Sequence, residues 1–265
     1  MAMIHSIHSK TCTEAWLSAV TWLAEQEGYT ATNLLLEIET PALMTDSDQR
    51  VVSAVDTFLR KHEQLPVVTV AGTIFPAGLY SQHGSAGIYK VYPDEVYPKV
   101  KEGWGTYAYR FVRRTGANGA VMNPLETLVE KMKRQLTHAS TLGRAYELNS
   151  VELFADLPLY EATQDSNRGI SHPCLSHVSF RIDHKKVLAM TALYRSHFYI
   201  QKTLGNLLGL AQLQSFIAQE TELSVGPMVI HSIYAVLDRS SGKWGKQDVL
   251  KLLAACRKAA ESKAA

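Results

Sequence analysis

The sequence predicts an α+β fold organised by one large β-sheet. Amphipathic helical patterns occur near both ends of the chain, two apolar strand-like runs follow one another in the C-terminal half, and a long helix there is apolar on nearly all sides. The 265 residues are 46% apolar and 20% charged, which is typical of a globular protein. We therefore expect a single domain over residues 1–265.

Local periodicity predicts the elements of the N-terminal half. Apolar side chains recur on one face of residues 13–26, where Thr13 is a suitable N-cap, and again in residues 46–61. Residues 33–40 and 66–75 are apolar runs bounded by prolines, which predicts two strands. The prolines and glycines of residues 76–103 predict long loops rather than a linker between domains.

The C-terminal half has a more regular pattern. Asn123-Pro124 begins an amphipathic stretch, and the later runs alternate between strand-like and helix-like patterns with short polar connections. We predict helices over residues 124–136, 207–220 and 247–262, and strands over residues 146–154, 176–182, 187–194 and 228–237.

Charge and cysteine usage exclude several classes of function. The formal net charge of +2 gives no global field that would recruit nucleic acid or an anionic membrane, and no window approaches the ~18 apolar residues of a membrane span. Cys12, Cys174 and Cys256 are far apart and lack metal-ligand spacing, so we expect neither disulfides nor a metal site. These features favour a cytoplasmic protein.

Cys174 is the candidate nucleophile. It follows Pro173 at the entry to an apolar strand, where a thiol can be exposed and where nearby cations could stabilise the thiolate. A lone cysteine beside an apolar strand is also commonly a small core residue, and the spacing does not decide between the two interpretations.

The order of motifs around Cys174 resembles the thymidylate synthase family. Pro173-Cys174 is followed by two strands, then by Tyr194-Arg195-Ser196, and then by Asn206, which lies ten residues past Ser196 and before a buried helix. Upstream, Tyr107-Ala-Tyr-Arg-Phe-Val-Arg is similar to the family's segment before its long helix. The resemblance is clearest over residues 100–238 and implies a thymidylate synthase-like fold with a large twisted mixed sheet backed by helices.

The resemblance implies a role for each motif residue. Cys174 would add to C6 of a pyrimidine nucleotide, Arg195 and Ser196 would hold the phosphate, and Asn206 would bind the edge of the base. Arg144 lies at the position of the family's arginine loop, which crosses to the partner subunit, so the resemblance also implies a homodimer. Taken singly, Arg195 could be a surface cation, Ser196 a turn residue and Asn206 a helix N-cap.

The resemblance implies methylenetetrahydrofolate as the carbon donor, but two features depart from the family. Phe198 occupies the position of an Asp that helps to hold the folate pterin, and residues 257–265 are polar and helix-forming instead of an apolar tail that closes over the cofactor.

Three functions follow from these matches and departures. The first is a C5 methyl- or hydroxymethyltransferase that acts on a pyrimidine nucleotide through a covalent Cys174 adduct. The second is a pyrimidine-nucleotide-binding protein of the same fold that has lost folate-dependent transfer. The third is folate-independent chemistry at C5.

Overall fold

The computed structural model describes residues 4–102, 105–115, 119–137, 153–159, 173–238 and 244–261. In sequence order the first elements are β1 (His5–Ser9), α1 (Cys12–Glu25), β2 (Thr30–Ile38), α2 (Asp46–Lys61), α3 (Val67–Gly72), α4 (Ala77–Ala86), a π-helical segment (Gly87–Val96), α5 (Tyr97–Val100) and α6 (Tyr107–Val112). They continue with β3 (Arg114–Thr115), β4 (Val121–Met122), α7 (Pro124–Thr137), β5 (Leu153–Pro158), β6 (Leu175–Ile182), β7 (Val187–Tyr194), β8 (His197–Phe198), a π-helical turn (Tyr199–Thr203), α8 (Leu204–Glu220), β9 (Ser224–Val236) and α9 (Lys246–Glu261).

The main sheet confirms the predicted α+β class. Within the described residues it has seven strands in the order β1-β2-β9-β7-β6-β5, with β8 beside β9. The pairing is mixed, because β7 runs parallel to β9 and antiparallel to β6. Alternate residues of β2, including Leu34, Leu36 and Ile38, are buried under the helices. The sheet is therefore backed by helices.

Helices α1 and α8 cover the centre of the sheet. The Trp16 indole of α1 donates a 2.7 Å hydrogen bond to the carbonyl of Tyr199, just before α8. Within α8 the buried Gln214 amide donates to the carbonyls of Leu188 and Gly226 at 2.7 and 3.1 Å, which joins the helix to β7 and β9. These contacts satisfy buried backbone carbonyls and fix where α8 begins.

Most predicted helices and strands are confirmed. The bounds of α2 agree with the prediction, and β6, β7, β9, α7, α8 and α9 lie within a few residues of theirs. The cap of α1 differs: Thr11, not Thr13, accepts from the Glu14 amide and forms a capping box with it. Strand β1 was not predicted. Of the strand predicted over 146–154, only its last two residues are described, at the start of β5.

Two predictions for the middle of the chain are wrong. Residues 66–75 contain helix α3 instead of a strand, because Val67, Val70 and Ala71 pack against a glycine-lined face of α8. Residues 76–103 are largely helical instead of looped. The prolines and glycines lie at helix boundaries or at irregular positions within helices. Pro76 precedes α4, Gly84 takes a positive φ of 59°, and Pro93 lies within the π-helical segment. No described helix has the length and apolar character that a membrane crossing requires.

Candidate active site

The ends of β6 and β7 bring Cys174 and Arg195 together. Leu175 pairs with Tyr194 in the antiparallel ladder, so the residues just outside the ladder, Cys174 and Arg195, face each other. The Arg195 amide donates to the Cys174 carbonyl at 2.9 Å. The Arg195 guanidinium also donates to the Pro173 carbonyl at 2.7 Å. The predicted nucleophile and the predicted phosphate ligand are therefore neighbours.

Tyr107 of α6 also holds the backbone at this junction. Thr106 caps α6 by accepting from the Tyr109 amide, and α6 then directs Tyr107 toward β6. The Tyr107 hydroxyl accepts hydrogen bonds from the backbone amides of Cys174 and Leu175 at 2.8 and 3.0 Å. Burial raises the pKa of Tyr107, so its side chain is a neutral phenol. Both the backbone amide and the backbone carbonyl of Cys174 are therefore hydrogen-bonded.

The Cys174 thiol is half-buried and lies in the field of two cations. Burial raises the pKa of the thiol, while the charges of Arg195 and, to a smaller extent, Lys202 lower it. Burial prevails, so the thiol is protonated at neutral pH in the ligand-free protein. A deprotonating step is needed before Cys174 can act as a nucleophile.

Lys202 and Asp238 belong to the site but were not predicted. The buried Asp238 carboxylate accepts from the backbone amides of Ile200 and Gln201 at 2.7 and 3.3 Å, which anchors the π-helical turn that carries Lys202. Burial lowers the pKa of Lys202, while Asp238 and Cys174 raise it. The sequence could have indicated Lys202 only by its position, because it lies between Ser196 and Asn206 in the segment that carries the predicted site residues.

Asn206 lies inside α8 and does not cap it. The helical backbone is already formed at Thr203 and Leu204, so the N-cap interpretation is wrong. Asn206 is 6% exposed, and its Nδ2 lies 3.1 Å from Nε2 of His197. His197 Nδ1 in turn lies 3.0 Å from the Ser232 hydroxyl. Asn206 is the end of a buried polar chain.

Tyr194 joins the cysteine junction to this chain. Its ring stacks on His197 with centroids 3.8 Å apart and planes 2° from parallel. Its buried hydroxyl finds no hydrogen-bond partner among the residues that the structure describes. Burial raises the pKa of Tyr194 far above the ordinary value, and the nearby Tyr107 and Cys174 raise it further. An orphaned phenol next to the thiol is a suitable contact for a polar ligand.

The remaining predicted residues have simpler surroundings. Ser196 is half-buried in the bend between β7 and β8. Arg144 lies outside the described residues. In the described ranges there is no group of three His, Cys, Asp or Glu side chains that could hold a metal ion.

Phe198, which occupies the position of the family's folate-contacting Asp, ends the short strand β8. Phe198 is 42% exposed and presents an apolar ring, with no carboxylate to accept from a pterin. Residues 246–261 form the helix α9, which includes much of the polar C-terminal segment. The loss of folate contacts stays a prediction.

Together the fold and site define an α+β protein with a half-buried cysteine held beside two cations at the ends of two inner strands of a mixed sheet. No protein-family model matches the chain, and no curated protein matches it. Among solved structures the chain is similar to a thermostable thymidylate synthase A from Bacillus subtilis, with 12% identity and a TM-score of 0.45 over 85% of this chain and 79% of that chain. At this level the likeness bears on neither activity nor substrate.

Proposed function

We propose that this chain binds a pyrimidine nucleotide and transfers a methyl or hydroxymethyl group to C5 through a covalent Cys174 adduct at C6. The observation that carries the proposal is the junction of β6 and β7, where Cys174, Arg195 and Lys202 share one electrostatic environment. A thiol flanked by two cations is suited to an anionic substrate, because the cations serve both the thiolate and a phosphate.

The chemistry begins with the thiolate. Its sulfur forms a bond to C6, and the electrons of the C5–C6 double bond move to C5 and O4 as an enolate. A methylene carrier such as methylenetetrahydrofolate would supply C5 with a one-carbon unit at the oxidation level of formaldehyde, with the carrier amine as the leaving group and the C5 hydrogen lost as a proton. Addition of water to the resulting exocyclic methylene, with departure of the Cys174 thiolate, would give a hydroxymethyl group; addition of hydride from the carrier, which is thereby oxidised, would give a methyl group.

The phosphate is assigned to Arg195 and Ser196. The planar fork of a guanidinium suits a phosphate, which it can bind through two parallel N–H donors. We assign Arg144 of a second subunit to the same phosphate, so the proposal includes a homodimer. Arg144→Ala should weaken nucleotide binding without dissociating the dimer in sedimentation velocity, and a monomeric wild type would contradict this part of the proposal.

Two observations favour related alternatives. The raised pKa of the Cys174 thiol favours a binding protein that has lost the transfer reaction. The exposed Phe198 favours chemistry at C5 without folate, in which the enolate carbon takes a proton from water and returns its original hydrogen to solvent. That exchange needs no co-reactant.

Tritium release separates the three functions. The protein is incubated with C5-tritiated UMP, dUMP, CMP and dCMP, with and without methylenetetrahydrofolate, and tritium in water is counted. Folate-dependent release supports transfer, release without folate supports exchange, and binding without release supports the binding protein. Cys174→Ala should abolish release, while Cys256→Ala, which removes a buried thiol from α9, should not. Absence of both binding and release would contradict all three.

A further inference from the structure

An open cleft lies apart from the candidate active site. Its walls are the end of α4 with the π-helical segment, the end of α6, strand β4 and the start of α7. The cleft has a volume of about 480 Å³, within the range of about 300–1,000 Å³ that small-molecule sites have. In its wall, the ring centroid of Tyr89 lies 5.8 Å from that of Phe216, which is about 15 Å along α8 from Asn206. Among the described residues, none from the junction of β6 and β7 lines this cleft.

Two cations line one part of the cleft. The Arg113 guanidinium donates to Asp94 at 2.6 Å, and Asp94 is four residues beyond Lys90 in the same helical segment. Residues spaced in this way are neighbours on a helix surface, so Lys90 and Arg113 lie close together. Within the described ranges no carboxylate is in ion-pair distance of Lys90. The positive charge of Lys90 is therefore not compensated by the described part of the chain.

A carboxylate lines another part of the cleft. Glu126 lies in the first turn of α7, where the helix N-terminus stabilises a negative charge. Burial raises the pKa of Tyr89, and the charges of Glu220, Glu126 and Glu130 raise it further. The field around the Tyr89 side chain is therefore negative. An anionic group in the cleft is directed away from Tyr89 and toward the two cations.

The β4 wall of the cleft is apolar and open to solvent. Val121 and Met122 are 66% and 51% exposed. Pairing with Thr115 and Arg114 of β3 holds their backbone in place. Large apolar side chains that stay exposed in a groove with a polar rim are typical of a binding site, because a ligand that covers them releases water.

We propose that this cleft binds a small organic anion with an apolar body. Its carboxylate contacts Lys90 and Arg113, and its hydrocarbon or aromatic part covers Val121 and Met122. A carboxylate supplies the negative charge that Lys90 lacks, and a guanidinium binds it as well. A phosphate dianion fits less well, because Glu126 repels the second charge. This binding does not depend on the proposed function.

The Met122 methyl group reports on the cleft directly. The full chain is labelled with ¹³C-methyl methionine, and the Met122 signal is identified among the seven methionines by its loss in Met122→Leu. NMR titration with 2-naphthoate should shift this signal and saturate, with a dissociation constant on the order of 1 mM for so small a ligand. The uncharged 2-naphthamide has the same body, and acetate has the charge without the body. Each should bind at least about tenfold more weakly.

Two variants separate the contributions of charge and apolar surface. Lys90→Met removes the uncompensated cation, so it should weaken binding of 2-naphthoate about fivefold and leave 2-naphthamide unchanged. Val121→Ser removes apolar surface, so it should weaken binding of both compounds about threefold. Lys251→Met, on the exposed face of α9, is the matched control and should bind both compounds like wild type.

Two results would overturn the proposal. No shift of the Met122 signal with 2-naphthoate up to about 10 mM would show that the cleft does not bind this class of ligand. Equal affinity for 2-naphthoate and 2-naphthamide, or an unchanged affinity in Lys90→Met, would show that the cleft does not recognise an anion. Saturable, charge-dependent binding that Lys90→Met weakens supports the proposal. These measurements involve neither Cys174 nor a nucleotide, so their result is independent of tritium release.

Discussion

The amide of Arg195 donates a 2.9 Å hydrogen bond to the carbonyl of Cys174. This bond continues the antiparallel ladder of β6 and β7 by one rung, so the cation and the thiol keep their places as long as the sheet end is intact. Catalytic groups mounted on the ends of strands are held more firmly than groups on loops. The chemical environment of Cys174 is therefore a consequence of strand pairing.

The charge of Lys202 should control the reactivity of Cys174. Lys202→Met removes a positive charge that lowers the pKa of the thiol, so this pKa should rise and the thiolate fraction at pH 8 should fall. We expect alkylation of Cys174 by iodoacetamide to slow about threefold, with the pH profile displaced to higher pH. Lys251→Met, on the exposed face of α9, is the matched control. Superimposable profiles for the Lys202 variant and wild type would contradict the coupling.

Loss of the Tyr107 hydroxyl should destabilise the junction. Tyr107→Phe leaves the buried amides of Cys174 and Leu175 without their shared acceptor, and we expect the free energy of unfolding to fall by about 1–3 kcal/mol. Urea denaturation measures the change. Tyr109→Phe, two residues further along α6, should cost less than about 0.5 kcal/mol. Equal losses in the two variants would argue against a specific role for Tyr107.

The close approach of α3 and α8 depends on glycine. A Cβ at Gly209 would lie 2.7 Å from the Ala71 carbonyl oxygen and 2.9 Å from Ile74 Cβ, so Gly209→Ala must push the helices apart. The expected loss is about 1–3 kcal/mol of unfolding free energy. At Gly78, in α4, an added Cβ meets nothing within 4 Å, and Gly78→Ala should stay within about 1 kcal/mol of wild type, on the stabilising side.

Buried neutral His197 should make stability depend on pH. Its pKa is lowered to about 3 in the folded protein, against 6.5 in an unfolded chain, so between these values the unfolded state binds more protons. The contribution of His197 is constant above pH 6.5 and is lost progressively as the pH falls toward 3. The difference in unfolding free energy between pH 7 and pH 4.5 should be smaller in His197→Phe than in wild type; an equal difference would show that His197 does not titrate this way.

The sequence predicted those helices and strands whose apolar pattern and ends are determined by neighbouring residues. Helix α2 and strands β6 and β7 were predicted because each has a complete apolar pattern with clear ends. Helix α3 was missed because Val-Val-Thr-Val favours a strand locally, and only packing against Gly205 and Gly209, more than a hundred residues away, makes it a helix.

The same distinction applies to the site. The proximity of Cys174 and Arg195 followed from two adjacent strands, which a sequence can indicate. The surroundings of His197 depend on Ser232, which lies near it because β7 and β8 pair with β9. The position of Lys202 depends on Asp238, which follows β9 and accepts from the turn that carries the lysine. Sequence order carries no signal for these contacts.

Protection of Cys174 from alkylation tests the central claim, that Cys174, Arg195 and Asn206 form one pyrimidine-nucleotide site. The full chain is treated with iodoacetamide, with and without saturating UMP, dUMP, CMP or dCMP, and the labelling rate of the Cys174 peptide is measured by mass spectrometry. We expect at least one nucleotide to slow labelling about tenfold or more, whereas the corresponding nucleoside without phosphate gives much weaker protection. Unchanged labelling of Cys174 with all four nucleotides would contradict the claim.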